Sequence, residues 1–230
     1  MADAVATVAA ARSRSASVDR EPTSRPGGPS DRVVVLLATL LNAAFALAVT
    51  KWAGNGREGT QLALRLTARL SFAWFTLAFL ASPLHALRPC EATHRLLRMR
   101  RALGITFGLS MAIHVGFILR LFVLYSPERP PMVTDADFLV GIPGLLLVAA
   151  MTLTSADRVR RRLDPLAWKR LHVTGLWVAW AIFFLCLVDS LGRKETNHPV
   201  LAYGVFIATL VASAALRLAA WRGRGPGRLG

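Results

Sequence analysis

The chain is short of acids: it has 13 Asp+Glu against 28 Lys+Arg in 230 residues, a formal charge of +15. It has only two cysteines, Cys90 in an Arg-rich connection and Cys186 deep in an apolar block. Residues so placed cannot meet, which excludes a disulfide framework. No Cys/His cluster has zinc spacing, and no Gly-rich strand–turn–helix motif marks a nucleotide-binding domain. An excess of bases this large usually points to nucleic acid or an anionic surface. Yet charged residues are only 18% of the chain, hydrophobic residues are 54%, and the mean hydropathy is +0.45. The bases also alternate with long apolar blocks instead of forming one face. An ordinary soluble domain and a disordered basic protein are excluded on that pattern, and nucleic-acid binding is disfavoured.

The blocks cover residues 33–50, 62–82, 102–125, 138–154, 168–188 and 199–221. Each approaches the roughly 20 residues that a helix needs to cross a hydrocarbon layer of about 30 Å. The expected fold is all-α, a polytopic membrane bundle of six transmembrane helices over 32–221. Residues 1–31 read as a disordered tail and 222–230 as a basic tail. Residues 4–11 are mildly apolar but are followed by Arg12 and Arg14, so a cleaved signal is not expected. Pro83, Pro130, Pro131 and Pro199 fall at or beyond block ends. Pro143, between Gly141 and Gly144, predicts a kink or a close helix approach in the fourth block. Twenty of the 28 Lys+Arg lie in the N-terminal tail, the 2–3 and 4–5 connections and the C-terminal end. By the positive-inside rule, both termini are cytoplasmic and the protein is a multi-pass protein of the inner membrane.

Ionisable groups inside a membrane helix are costly and mark candidate sites. His114 lies about 18 Å along the third block, from a rise of 1.5 Å per residue. It reads either as a buried neutral imidazole bonded to a neighbouring helix or as a haem ligand. His172 lies near the start of the fifth block and also fits an interfacial position. Arg65, Arg69 and Arg120 sit near the outer ends of the second and third blocks. They either snorkel to headgroups or neutralise an acidic group between helices, such as a cofactor propionate. Asp189 reads as interfacial, near Arg193 and Lys194.

Several short motifs occur in one order. Thr67-Ala68-Arg69-Leu70 leads to Ser82-Pro83-Leu84, and Arg100-Arg101 precede Leu103-Gly104, ten residues before His114. Leu153-Thr154-Ser155 ends the fourth block, and Trp168-Lys169-Arg170-Leu171-His172 opens the fifth. With them the chain resembles the ferric reductase-like transmembrane domain family over about residues 35–220. Within it, the resemblance is nearest to the haem-binding membrane subunit of the bacterial methionine sulfoxide reductase system.

That resemblance implies a haem b bundle, with one haem expected and at most two. Electrons would enter from a flavin partner, such as a flavin reductase, or from a quinol. They would leave to a metal ion, oxygen or a periplasmic reductase partner. His114 and His172 match family histidines, and Arg100 matches an arginine that stands where other members place a histidine. The next family histidine should fall at Leu185, which cannot ligate iron. Its neighbour Cys186 reads first as a small buried apolar residue; as a thiolate it would make a different redox centre. His114 and His172 sharing one haem is disfavoured by a depth difference of about 12 Å. His85, near the inner end of the second block, is a spare inner ligand or a surface residue by the headgroups; His94 and His198 lie outside the blocks.

Two functions from different classes follow: a membrane electron carrier without its own flavin or nicotinamide domain, or a haem-free subunit with a structural or assembly role. A transporter would want midplane acids or broken helices, which the blocks lack.

Overall fold

Lipid offers a backbone N–H no partner outside its own segment, so the apolar blocks must close their hydrogen bonds as helices. The computed structural model describes residues 29–125, 135–192 and 200–223. Residues 1–28 of the expected tail 1–31, residues 224–230 of the expected tail 222–230, His198, and the bases of the 126–134 and 193–199 connections lie outside these residues, while residues 29–31 belong to the first helix. The described residues form α1 (Pro29–Trp52), α2 (Arg57–Leu87), α3 (Glu91–Tyr125) and α4 (Asp135–Thr154). A single turn, α5 (Asp157–Arg160), leads to α6 (Pro165–Gly192) and α7 (Val200–Arg222). No strand occurs among the described residues.

Five of these helices, α1, α2, α3, α6 and α7, are long and apolar enough to cross a membrane. The chain is a multi-pass helical membrane protein. The sixth expected span differs: the described apolar stretch of α4, Val140–Thr154, belongs to the class of 10–17 residues, short of the length of a full crossing. The second and third blocks, by contrast, are extended by polar turns into helices of 31 and 35 residues. Both are longer than the roughly 20 residues that a crossing needs.

The helices α2, α3, α4, α6 and α7 pack in that cyclic order, and α1 lies outside against α2 and α3. Side chains are sorted for lipid. Large aliphatic groups such as Leu36, Leu40, Leu119, Val123 and Leu146 face outward. The interior holds small polar residues and phenylalanines: Thr67, Ser71, Ser110, Phe75 and Phe79 are all nearly fully buried. Membrane helices gain nothing by hiding leucine from leucine-like lipid, so close packing and interhelical hydrogen bonds hold them together instead. Phe72, Phe75 and Phe79 of α2 form the core with Phe107, Val148, Leu176, Ala179 and Leu210, which draws on all five helices of the ring. Phe75 and Phe183 meet with ring centroids 5.1 Å apart, and Phe72 meets Phe206 edge-on at the same distance.

Antiparallel α2 and α3 are fastened by a polar ladder. Thr67 Oγ1 lies 3.1 Å from His114 Nδ1, Ser71 Oγ 2.9 Å from Ser110 Oγ, and Arg100 donates to Ser82 Oγ at 2.9 Å. The paired numbers keep a nearly constant sum, which is the signature of one continuous antiparallel register.

Pro83 lies inside α2, buried, and not at its end. A proline has no N–H, so the carbonyl four residues earlier loses its helical donor. That carbonyl belongs to Phe79, and Arg217 of α7 donates to it at 3.0 Å while its guanidinium stacks 4.3 Å over the Phe79 ring. The helix continues through the proline because a neighbouring helix supplies the missing donor. At Gly144, next to Pro143, a Cβ would sit 2.6 Å from Ile182 Cδ1, so the close approach expected there brings α4 onto α6.

Candidate functional site

The ring of helices lines a partly open cavity of about 420 Å³. It is lined by Arg65, Ala68, Arg69 and Phe72 of α2, Phe107, Met111 and His114 of α3, and Gly141, Gly144 and Val148 of α4. α6 adds Ala179, Phe183, Cys186 and Ser190, and α7 adds Tyr203 and Phe206. An apolar hollow of this size with a few polar groups is the usual form of a cofactor site, whose volumes run from about 300 to 1,000 Å³.

His114 is held from behind. Thr67 has one hydroxyl hydrogen, and it points to the carbonyls of Ala63 at 2.9 Å and Leu64 at 3.0 Å, as in other membrane-helix threonines. Its oxygen is then left to accept Nδ1–H of His114, which makes Nε2 the basic nitrogen of the ring. This is the arrangement by which a protein fixes the tautomer and orientation of a ligating histidine.

His172 is placed differently. Its Nδ1 is 3.0 Å from the Trp168 carbonyl oxygen, and its Nε2 is 3.2 Å from both Ser155 Oγ and the Met151 carbonyl oxygen. Both nitrogens are engaged, and His172 is not among the residues that line the cavity. Trp168 stacks on it at 4.1 Å, donates through Nε1 to the Thr154 carbonyl at 3.1 Å, and carries the Arg160 guanidinium 4.8 Å above its ring. Arg101 adds two hydrogen bonds to the Ser155 carbonyl and an ion pair with Asp157 at 2.7 Å. The Thr-Ser and Trp-x-x-Leu-His pieces therefore clasp one another, closing α3, α4 and α6 at the end that carries the arginine-rich connections.

The depths of the two histidines follow from packing. Adjacent Thr152 and Met151 of α4 press on Gly108 of α3 and Gly175 of α6, where a Cβ would fall 1.9 Å and 2.3 Å from their side chains. Counted from those contacts at 1.5 Å per residue, His172 lies more than about 12 Å from His114 along the bundle axis. Axial ligands of one iron would lie at similar depth.

Other expected residues separate in the same way. Arg65 and Arg69 both border the cavity, Arg65 half-buried and Arg69 exposed. Arg120 instead turns to the α1–α2 connection, where Asn55 adopts φ 56°. The Asn55 carbonyl takes hydrogen bonds from Tyr125 at 2.8 Å and Arg120 at 3.4 Å. His85 meets Thr93 and His94 at the α2–α3 turn, away from the cavity lining. Leu185 is 56% exposed on α6; the next residue, Cys186, borders the cavity and is itself exposed, not buried as its place in an apolar block suggested. Among the described residues, no three His, Cys, Asp or Glu converge as a metal-holding group. In the sequence Thr67 stands out only as part of a motif, and Ser71 and Ser110 do not stand out. Their signal was present: hydroxyl residues at Thr67 and Ser71 opposite Ser110 and His114, each pair four apart on facing helices.

A multi-pass helical membrane protein with a histidine-bearing apolar cavity at its centre defines the class. A family model described as the ferric reductase like transmembrane component matches residues 67–186, just over half of the chain, and the chain belongs to that family. The matched stretch begins at Thr67, which holds His114, and ends at Cys186. No curated protein and no solved structure matches the chain.

Proposed function

We propose that the protein is an integral membrane electron-transfer subunit that holds haem b in the central cavity, with His114 as an axial ligand. The single observation that carries this reading is the placement of His114: in a family of membrane electron-transfer domains, it is the one histidine among the described residues that line the cavity. The donor set fits the group. Imidazole held through Nδ1 offers Nε2 to iron, phenylalanines supply flat apolar walls, and Arg65 and Arg69 suit the two carboxylates of a haem. Bound haem supplies a one-electron couple inside the hydrocarbon layer.

The protein itself orients the ligand through Thr67, excludes water with the Phe72–Phe107–Phe183 wall and compensates anionic groups with arginine. One haem per chain is the expected load, because both nitrogens of His172 are engaged and Leu185 faces outward. In this reading α4 completes six spans and both termini are cytoplasmic, since the bases gather at one end of the bundle. Electrons pass from a cytoplasmic flavin partner or a quinol to an outer-side acceptor. The resemblance to methionine sulfoxide reductase subunits makes a periplasmic reductase the first acceptor to try.

The test is a reduced-minus-oxidised spectrum of the detergent-purified protein, with haem measured per polypeptide. Bands of b type at about one haem per chain are expected. Their absence after haem supplementation during expression overturns the reading. It would leave the haem-free structural role, which the engaged state of His172 already favours for the clasp end.

A further inference from the structure

α1 lies outside the ring of helices and before the matched stretch 67–186, yet it carries an amide into the bundle. Asn42 is 5% exposed, and its Nδ2 is buried without a hydrogen-bond partner among the described residues. A polar side chain inside a membrane helix is costly and marks a candidate site. Resting on the haem reading above, we propose that Asn42 is a positioning residue for His114: its amide donates to Thr67 Oγ1, so that Asn42, Thr67 and His114 act as one relay behind the cavity.

The first support is register. A Cβ at Gly59 of α2 would fall 2.8 Å from the Thr50 carbonyl oxygen of α1. One turn deeper, Ala46 of α1 and Ala63 of α2, both 0% exposed, share a buried cluster with Phe117 of α3. The two contacts keep one antiparallel register, and its next turn sets Asn42 opposite Thr67. The third helix agrees. α3 runs parallel to α1, so one turn deeper from Phe117 is Ile113, next to His114. Asn42, Thr67 and His114 all lie about 4.5–6 Å from the same cluster, on the same side of it. Ala38, Asn42, Ala46 and Thr50 are buried at a spacing of four residues, so Asn42 shares the face of α1 that packs on α2 and α3.

The second support is the hydrogen-bond count at Thr67. Its hydroxyl hydrogen points to the carbonyls of Ala63 and Leu64, and its oxygen accepts Nδ1–H of His114. A hydroxyl oxygen has two lone pairs, so one is left for a further donor. A turn of the Asn42 amide about its side-chain torsions joins donor to acceptor, directly or through one water. The consequence is electronic. A donor on Thr67 Oγ1 makes that oxygen a weaker acceptor for Nδ1–H, so Nε2 gives less electron density to a bound iron. Removing the donor does the reverse and favours the ferric state.

The experiment uses the full-length protein in detergent and has two arms. In the haem-free protein, Asn42→Leu should lower the unfolding temperature. On a Thr67→Ala background it should raise it, because there the buried amide has nothing to donate to. The same change in both backgrounds overturns the relay. In the haem-loaded protein, redox titration of the b-type band should give a lower midpoint potential for Asn42→Leu, with no further shift on Thr67→Ala. Ser71→Ala, one turn deeper on α2, should leave the Asn42→Leu shift intact. Should Thr67→Ala hold no haem, Thr67→Ser takes its place: it keeps the hydroxyl and should keep the shift, and a lost shift counts against the relay. Loss of haem from Asn42→Leu supports the proposal if Asn42→Gln restores it and overturns it otherwise. An unchanged potential in Asn42→Leu overturns the positioning role, leaves only a contact between helices, and spares the haem reading. Absence of haem from the wild type overturns the haem reading, while the unfolding arm still decides the relay.

Discussion

At the scale of single residues, the molecule depends on polar groups that repair one another inside an apolar medium. Pro83 removes the donor that the Phe79 carbonyl needs, and Arg217 replaces it from another helix. An orphaned buried carbonyl costs about 1–3 kcal/mol. Arg217→Met should therefore lower stability in detergent by about that amount, read as the shift in thermal unfolding. The same change made on a Pro83→Ala background, where the helix has its own N–H again, should cost markedly less. Equal costs in the two backgrounds would refute the pairing. Little of this was legible in the sequence, because the proline had read as a helix end and the arginine as orientation charge. His114 was legible, since a lone imidazole in the middle of an apolar block stands out against the cost of placing it there. The same reading could not choose between Leu185 and Cys186. One residue turns a helix by about 100°, and an all-round apolar block has no polar face to fix which side looks inward.

At the scale of elements, the α2–α3 hairpin is the frame and α4 the wedge. The hairpin is fixed by its polar ladder, and α4 presses on α3 and α6 where glycines make room. A Cβ at Gly108 would lie 1.9 Å from Thr152 Oγ1 and 3.0 Å from Thr152 Cβ. Gly108→Ala should destabilise the bundle by about 1–3 kcal/mol, the usual cost of overpacking, and loosen the α3–α4 contact. Adding Thr152→Ala should recover most of that loss, because the hydroxyl and methyl in the way are removed. A double variant no better than Gly108→Ala would show that some other contact sets the spacing. Helix type was legible from blocks of hydrocarbon length, and five of the six blocks are helices long enough to cross, while the described apolar stretch of the fourth is shorter. Helix ends were not legible, since the turns that carry α2 and α3 beyond the layer are polar and read as connections.

At the scale of the whole molecule, charge decides orientation and packing decides function. Cys90 sits at the α2–α3 turn, exposed, at the end of the bundle that holds the arginine-rich connections. On a Cys186→Ser background, a membrane-impermeant maleimide should label it in inverted vesicles and spare it in spheroplasts. The reverse pattern would overturn the cytoplasmic placement of that turn. The labelling also has a pH signature. Hydrogen bonds from Thr93, first from its side chain and then from its backbone, hold the Cys90 thiol below its ordinary range. The reactive thiolate is thus present at lower pH than in an ordinary cysteine, and Thr93→Val should move the rise in labelling rate to higher pH.

Sequence alone determined that the chain crosses a membrane as helices and that its bases gather between alternate spans. Both are bulk properties, read as sums over many residues: apolar length against the thickness of the hydrocarbon layer, and cation counts against the cost of moving charge across it. Only the tertiary structure decided which side chains share the cavity. It set His114 with Arg65, Arg69 and Cys186, sent Leu185 to the outside, and gave His172 to a clasp with Trp168 and Ser155. The reason is that convergence depends on the rotation and tilt of each helix against its neighbours. Those are fixed by glycine contacts, a hydroxyl ladder and phenylalanine packing between segments far apart in the chain.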